Sequence, residues 1–319
     1  MSNLTSFIQL TKQSTYKLNN GLHIPVAAFG TYLIDKSKAS DLVYKALEDG
    51  YRHIDTAIAY QNQGEVAQGI AKFLKDHPDV KREDIWFTTK IDNPSQGYEE
   101  TKRAVQLISK EVKPFIDYVD LILIHSPKTS KERRLGTYKY LQELILNPNN
   151  EVLNLKSVGV SNYGVAHLEE LFNWDGFLIK PVVNQLELHP WLPRLELREY
   201  LYKHDILVEA YSPLTQGYKL NDPELLQLAE EYKISKIDIL LKWSYLQGFI
   251  VLVKTDKPDR IKQNLDVLPC GKRDDDELQE NVNLGIVDLD PAIIEKLNKP
   301  DSHEVLTWGG VDPTLYKDE

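Results

Sequence analysis

Short apolar runs, most of them rich in β-branched residues, alternate with single amphipathic stretches along most of this chain. The runs are His53-Ile54-Asp55, Trp86 to Lys90, Val119 to His125, Val158 to Ser161, Val182 to Leu188, Ile206 to Tyr211 and Phe249 to Lys254, with a weaker candidate at Val267-Leu268. Between them apolar residues recur at helical spacing, as with Val105, Ile108 and Val112 in 99–112 and Leu225, Leu226, Leu228 and Ala229 in 223–233. Gly50 is placed to end a helix over 40–49, and Asp222 to cap one that begins at Pro223. Strands joined by single helices run parallel, because each helix carries the chain back to the same end of the sheet. No Gly-x-Gly-x-x-Gly loop follows the first strand, which removes the main signal of a dinucleotide-binding doubly wound sheet, the alternative arrangement. The expectation is an α/β fold, a single (β/α)8 barrel over residues 1–319 with a C-terminal loop. Ahead of it, Tyr16 and Leu18, then Asn19-Asn20-Gly21, then Leu22, Ile24 and Val26 predict a β-hairpin.

Composition narrows the function classes. The 319 residues are 42% hydrophobic and 27% charged, enough apolar material for one large core. A net charge of -10 without a basic stripe excludes a nucleic-acid partner, since phosphate contacts need clustered Lys and Arg. The single cysteine, Cys270, reads as a loop thiol and fits a reducing compartment. No signal-peptide run and no membrane-length apolar window is visible, so a cytoplasmic enzyme without a membrane partner is expected, as monomer or homodimer.

Two stretches break the alternation. Residues 127–151, with Lys128, Lys131, Arg133, Arg134 and Asn147-Pro148-Asn149-Asn150, and residues 271–283, with Asp274-Asp275-Asp276-Glu277, both read as solvated loop insertions. The acidic run is a better solvated surface than a metal site, and no metal is expected.

In a barrel, reactive residues stand at the C-terminal ends of the strands. Those ends carry Asp55, Lys90, His125, Ser161-Asn162, Gln185 with Glu187, Tyr211-Ser212 and Lys254-Thr255, a polar set on otherwise apolar strands. A charge at the end of a buried strand needs a partner, and Asp55 and Lys90 can supply each other. Tyr60 lies just beyond Asp55. Alone it is one of 17 tyrosines with a pKa of about 10, but a lysine held beside it is expected to lower that pKa. His125 can orient a substrate oxygen or relay a proton. Singly these residues read as a salt bridge, a surface phenol and a core histidine. Together, on three successive strand ends, they make a proton donor for a carbonyl oxygen.

The sequence resembles the aldo-keto reductase family. Gly50-Tyr51-Arg52-His53-Ile54-Asp55-Thr56-Ala57 with Tyr60, Pro181-Val182-Val183-Asn184-Gln185 with Glu187 and His189-Pro190, and Lys254-Thr255 with Arg260-Ile261 and Asn264 are similar to its three signatures. Gly159-Val160-Ser161-Asn162 and Glu209-Ala210-Tyr211-Ser212-Pro213-Leu214 match as well, and the likeness covers about residues 15–300. It implies that Asp55, Tyr60, Lys90 and His125 form a catalytic tetrad. Ser161, Asn162 and Gln185 would hold a nicotinamide carboxamide, and Tyr211 would stack on the ring. Gly30, Thr31, Asp55, Ser212 and Leu214 would complete the cofactor site, with Lys254, Thr255, Asp256, Arg260 and Asn264 at the adenosine end and its 2′-phosphate. Tyr32, Tyr60 and His125 would meet the substrate. Relatives with glutamate in place of His125 reduce steroid double bonds, so histidine implies C=O reduction. The implied cofactor is NADPH, with NADH possible because Asp256 stands beside the phosphate site where relatives carry a neutral residue. Tyr32 replaces a tryptophan common in relatives. The overall pattern is most similar to fungal reductases of α-ketoamides and conjugated polyketones.

Four rivals remain at this level: a polyol dehydrogenase, a xylose-reductase-like sugar reductase, a non-enzymatic barrel relative, and a glycosidase using Glu187 and Glu209 as paired carboxylates.

Overall fold

The computed structural model describes residues 5–271 and 285–318. In chain order it contains β1 (Phe7–Gln9), β2 (Thr15–Lys17), β3 (His23–Pro25), β4 (Ala27–Gly30), α1 (Lys36–Asp49), β5 (His53–Asp55), α2 (Gln63–Asp76), β6 (Trp86–Ile91), α3 (Tyr98–Val112), β7 (Tyr118–Ile124), α4 (Lys131–Leu146) and β8 (Asn154–Ser161). The second half contains α5 (Val165–Phe172), β9 (Val183–Glu187), α6 (Leu195–Lys203), β10 (Leu207–Tyr211), α7 (Pro223–Glu231), α8 (Lys236–Leu246), β11 (Ile250–Val253), α9 (Pro258–Leu265), β12 (Ile286–Asp288) and α10 (Pro291–Leu297). Strands β4 to β11 close into an all-parallel barrel in chain order, with β11 paired to β4. β1 and β12 form a separate antiparallel pair.

Seven of the eight barrel strands lie where the apolar runs predict them. The eighth does not. Val267-Leu268 are buried, but they lie in the turn that follows α9, where the Leu268 amide donates to Leu265 O. The missing strand is β4. Its Ala-Ala-Phe-Gly sequence has no β-branched residue and weak strand preference. It is extended because Val251 of β11 on one side and His53 of β5 on the other offer ladders to it in register with Ala27 and Ala28.

The stretch 127–151 is also different from expectation. It is not a solvated loop but carries α4, capped by Ser130 Oγ accepting from the Arg133 amide. Tyr138, Leu141 and Leu144 recur on its buried face. Four charged residues in its first turn conceal that periodicity, and one of them, Arg134, is itself buried between Glu170 and Asp318. Residues 272–284 lie outside the described residues, and with them the acidic run Asp274 to Glu277.

The helix ends follow the local chemistry. Gly50 takes φ 111° and closes α1 with its amide on Ala46 and Leu47 carbonyls. Asp222 caps α7 through the amides of Glu224 and Leu225.

The predicted hairpin forms from β2 and β3, with Tyr16 opposite Ile24. It seals the bottom of the barrel. Leu18 and Ile24 pack with Trp86, Val182, Val183 and Ile250, at the starts of β6, β9 and β11. Asn19 Nδ2 donates to the carbonyls of Pro181 and Asp205 and fixes the plug in place. Each such buried aliphatic side chain contributes about 2 kcal/mol. The plug packs below the polar groups that stand higher in the barrel, toward its C-terminal end.

Candidate active site

At that C-terminal end lies an open groove of about 1700 Å³. Asp55 ends β5, Lys90 lies near the end of β6 and His125 follows β7, so three adjacent strands bring the three together. Tyr60 closes the short turn after β5. Lys90 Nζ, fully buried, donates to Asp55 Oδ1 at 2.5 Å, to Thr56 O at 2.8 Å and to the Tyr60 hydroxyl at 3.2 Å. All three ammonium protons are therefore assigned. Gln185 Nε2 donates to the other Asp55 oxygen at 3.0 Å. The Tyr60 ring packs on Tyr32 at 5.1 Å and edge-on to His125 at 5.7 Å. Only its hydroxyl edge is left to work on a ligand.

The electrostatics correct one expectation. The Tyr60 phenol is pushed well above its usual range, not below it, by burial first and then by the charge of Asp55. Lys90 stands closer to Asp55 than to Tyr60, so its charge acts first on the carboxylate. Tyr60 is consequently a fully protonated phenol at neutral pH, and Lys90 is the donor that would stabilise it after the proton leaves. Burial, with help from the Lys90 charge, pushes His125 down to about 3. A neutral imidazole can donate a hydrogen bond but is a very poor acid, which favours orientation over proton relay between its two expected roles.

The wall beyond this pair is built from β8 to β10. Ser161 Oγ donates to Gln185 O at 2.9 Å, and Asn162 Nδ2 donates to Ser161 Oγ and His125 O at 3.0 Å each. Tyr211 OH donates to Asn162 Oδ1 at 2.9 Å. These groups line the groove, as do Gly30, Tyr32, Ser212 and Leu214. Thr31 does not: it is buried, and its hydroxyl is committed to Asp55 O at 2.9 Å. The groove also meets Lys254, Asp256 and Arg260 at the surface and Thr255 and Asn264 beneath them.

Two residues of this site carry no signal in the sequence. Thr307 and Trp308 belong to a C-terminal segment without regular pattern. The Trp308 indole N–H donates to Tyr211 OH at 2.9 Å, and its ring stands 6.0 Å from that of His125. Glu187 fixes the segment, accepting from the Leu306 amide at 2.8 Å and Thr307 Oγ1 at 2.6 Å, with His189 Nε2 at 3.0 Å. Burial alone would raise this carboxyl, but those donors hold it below its usual range. Its contribution to stability is therefore present above the unfolded carboxylate pKa and is lost as pH falls through the lower folded value. Glu187→Gln is expected to loosen the segment by about 2 kcal/mol. Substrate KM should rise and protease cleavage near residue 305 should speed up, whereas unchanged values of both would show that Glu187 does not hold it. Glu187 and Glu209 do not face each other across the groove; neither lines it, which removes the glycosidase reading.

A closed barrel with a lysine-bridged tyrosine at its C-terminal mouth and a long groove beside it defines a class of barrel oxidoreductases. The family model described as "Aldo/keto reductase family" matches residues 26–284, and the chain belongs to that family. It is 43% identical over 251 residues to an uncharacterised oxidoreductase of Saccharomyces cerevisiae, covering 78% of this chain and 87% of that one. It is 36% identical to a glycerol 2-dehydrogenase (NADP(+)) of Hypocrea jecorina, over 83% of this chain and 91% of that one. The crystal structure of an aldo/keto reductase from Brucella melitensis superposes with a TM-score of 0.74 at 38% identity, covering 90% of this chain and 98% of that one. No helix among the described residues is long and apolar enough to cross a membrane.

Proposed function

We propose that this chain reduces an aldehyde or ketone to an alcohol, using NADPH, with Tyr60 as the acid. The observation that carries the reading is Lys90 Nζ held between Asp55 and the Tyr60 hydroxyl at the mouth of the groove.

The groove suits a nicotinamide dinucleotide. Ser161, Asn162 and Gln185 present amide and hydroxyl groups that match a carboxamide, and Tyr211 offers a ring face. Lys254 and Arg260 stand exposed at the far end, where a 2′-phosphate would meet them. When bound, the reduced nicotinamide supplies a hydride to the carbonyl carbon. This chain's residues do the rest. Neutral His125 donates a hydrogen bond to the carbonyl oxygen and orients it. Tyr60 gives its proton to that oxygen as negative charge develops there. Lys90 compensates the charge left on Tyr60, and Asp55, held by Gln185, fixes Lys90. Tyr32 and Trp308 flank the substrate. The intact network disfavours a non-enzymatic role.

Asp256 opposes NADPH. It is exposed beside Lys254, where a carboxylate repels a phosphate but can accept from a ribose hydroxyl. The Hypocrea relative is named for NADP(+), which supports the phosphate form. We expect NADPH to be preferred and NADH to be used. Asp256→Asn should raise the NADPH-over-NADH ratio of kcat/KM by roughly fivefold. An unchanged ratio would remove Asp256 from the cofactor site. A panel of carbonyls with both cofactors tests the substrate class at the same time, including the α-ketoamides and conjugated polyketones that the sequence pattern suggests. The name of the same relative favours a second reading, in which the same residues run in reverse to oxidise a polyol. In that direction Tyr60 must first lose its proton, so the reaction should be favoured by alkaline pH.

A further inference from the structure

One carboxyl group in the barrel has no part in this chemistry. Glu209, at the middle of β10, is fully buried, and neither of its side-chain oxygens has a hydrogen-bond partner among the described residues. Its neighbours explain why that arrangement holds together. His53 Nε2 lies 3.5 Å from Glu209 Oε1. That ring does not serve as a cation, because burial, aided by the Lys90 charge, pushes it down to about 3 against the opposing pull of its Nδ1 contact with Pro25 O. Register places Glu209 beside Gln185 of β9 and Ile250 of β11. β9 offers it only that neutral amide, and β11 is wholly apolar. The titratable groups facing it are therefore His53 and Asp55 of β5, Lys90 of β6 and, above them, Tyr60. Of these only Lys90 is a cation, and its protons are assigned to Asp55, Thr56 and Tyr60.

A buried carboxylate without a hydrogen bond or a cation of its own is strongly disfavoured, so the group keeps its proton instead. We propose that Glu209 is a positioning residue for Tyr60: a protonated carboxyl beneath the Asp55–Lys90 pair, whose neutrality leaves Asp55 as the single anion that Lys90 must balance. Ionisation of Glu209 would set a second negative charge beside the pair and draw on Lys90, so Tyr60 would hold its proton more tightly. Burial, and then the charge of Asp55, lift Glu209 to about 8, which places that ionisation inside the working range of an enzyme. The same charge is among those that raise Tyr60. Two interacting groups titrate as a pair.

The inference rests on Tyr60 being the acid, and its test separates the two. The pH profile of kcat/KM for aldehyde reduction is measured for the full-length wild type, Glu209→Gln and Tyr60→Phe, the first two each normalised to its own rate at about pH 6. Glu209→Gln, which cannot ionise, should have its alkaline fall displaced to higher pH by roughly one unit, because the second anion that makes Tyr60 a weaker acid never forms. A purely structural role for Glu209 would change the rate without moving the profile. Superimposed profiles overturn the inference while an inactive Tyr60→Phe leaves the acid assignment standing; an active Tyr60→Phe overturns both. A second measurement needs no variant. In wild-type protein carrying carboxyl-labelled glutamate, carbon NMR should show one resonance titrating near 8, far above the others. No glutamate titrating above about pH 6 would overturn the inference whether or not the variant folds.

Discussion

Replacing Lys90 with methionine is expected to cost more than any other single change in this protein. Lys90 is fully buried and Asp55 nearly so, with the hairpin plug closing the barrel below them. Removing one partner of a buried pair leaves the other charge uncompensated, at about 3–5 kcal/mol. Asp55 would take up a proton to relieve part of that cost. Activity should fall by about 10²–10⁴-fold, because Tyr60 then leaves its proton with no cation beside it. The double variant Asp55→Asn with Lys90→Met separates the two effects. It removes the orphaned charge and should recover most of the melting temperature, while the reductase rate stays low. Recovery of both together would mean that Lys90 is only a structural partner of Asp55.

Tyr60→Phe is the second large effect, and it is almost purely catalytic. The ring contacts with Tyr32 and His125 and the ring face toward Lys90 at 4.8 Å do not involve the hydroxyl. The variant loses one hydrogen bond of 3.2 Å, so stability should change by no more than about 1 kcal/mol. Loss of a general acid should lower kcat by about 10²–10⁴-fold with cofactor affinity retained. His125 cannot take over, since it is already neutral and would have to become an imidazolate to give up a proton. A kcat within threefold or so of wild type would exclude Tyr60 as the acid.

Much of this was legible in the residues because barrels put function in a fixed place. Once the apolar runs mark the strands, the polar residue ending each one is a candidate, and Asp55, Lys90, His125, Asn162 and Tyr211 are found in this way. β4 is invisible because Ala27 to Gly30 have only weak strand preference of their own; the neighbouring strands impose the conformation. α4 is obscured because its first turn is charged, and a buried arginine looks in sequence like a solvated one. Trp308 and Thr307 reach the site across long sequence separations through Glu187, a contact no local pattern encodes. The direction of the Tyr60 shift depends on the balance between burial and a shared cation, which composition and spacing do not contain. Of the residues that the resemblance to a known family assigns to a cofactor, all but Thr31 line the groove.

The measurement that bears most directly on the central claim is a single-turnover reduction of a reactive aromatic aldehyde, followed by loss of the NADPH absorbance. Wild type and Tyr60→Phe are compared at cofactor concentrations shown by fluorescence titration to saturate both. A rapid, aldehyde-dependent loss is expected in wild type and a rate lower by about 10²–10⁴-fold in the variant, with similar cofactor binding. No aldehyde-dependent loss in wild type, or equal rates in the two proteins, would contradict that claim.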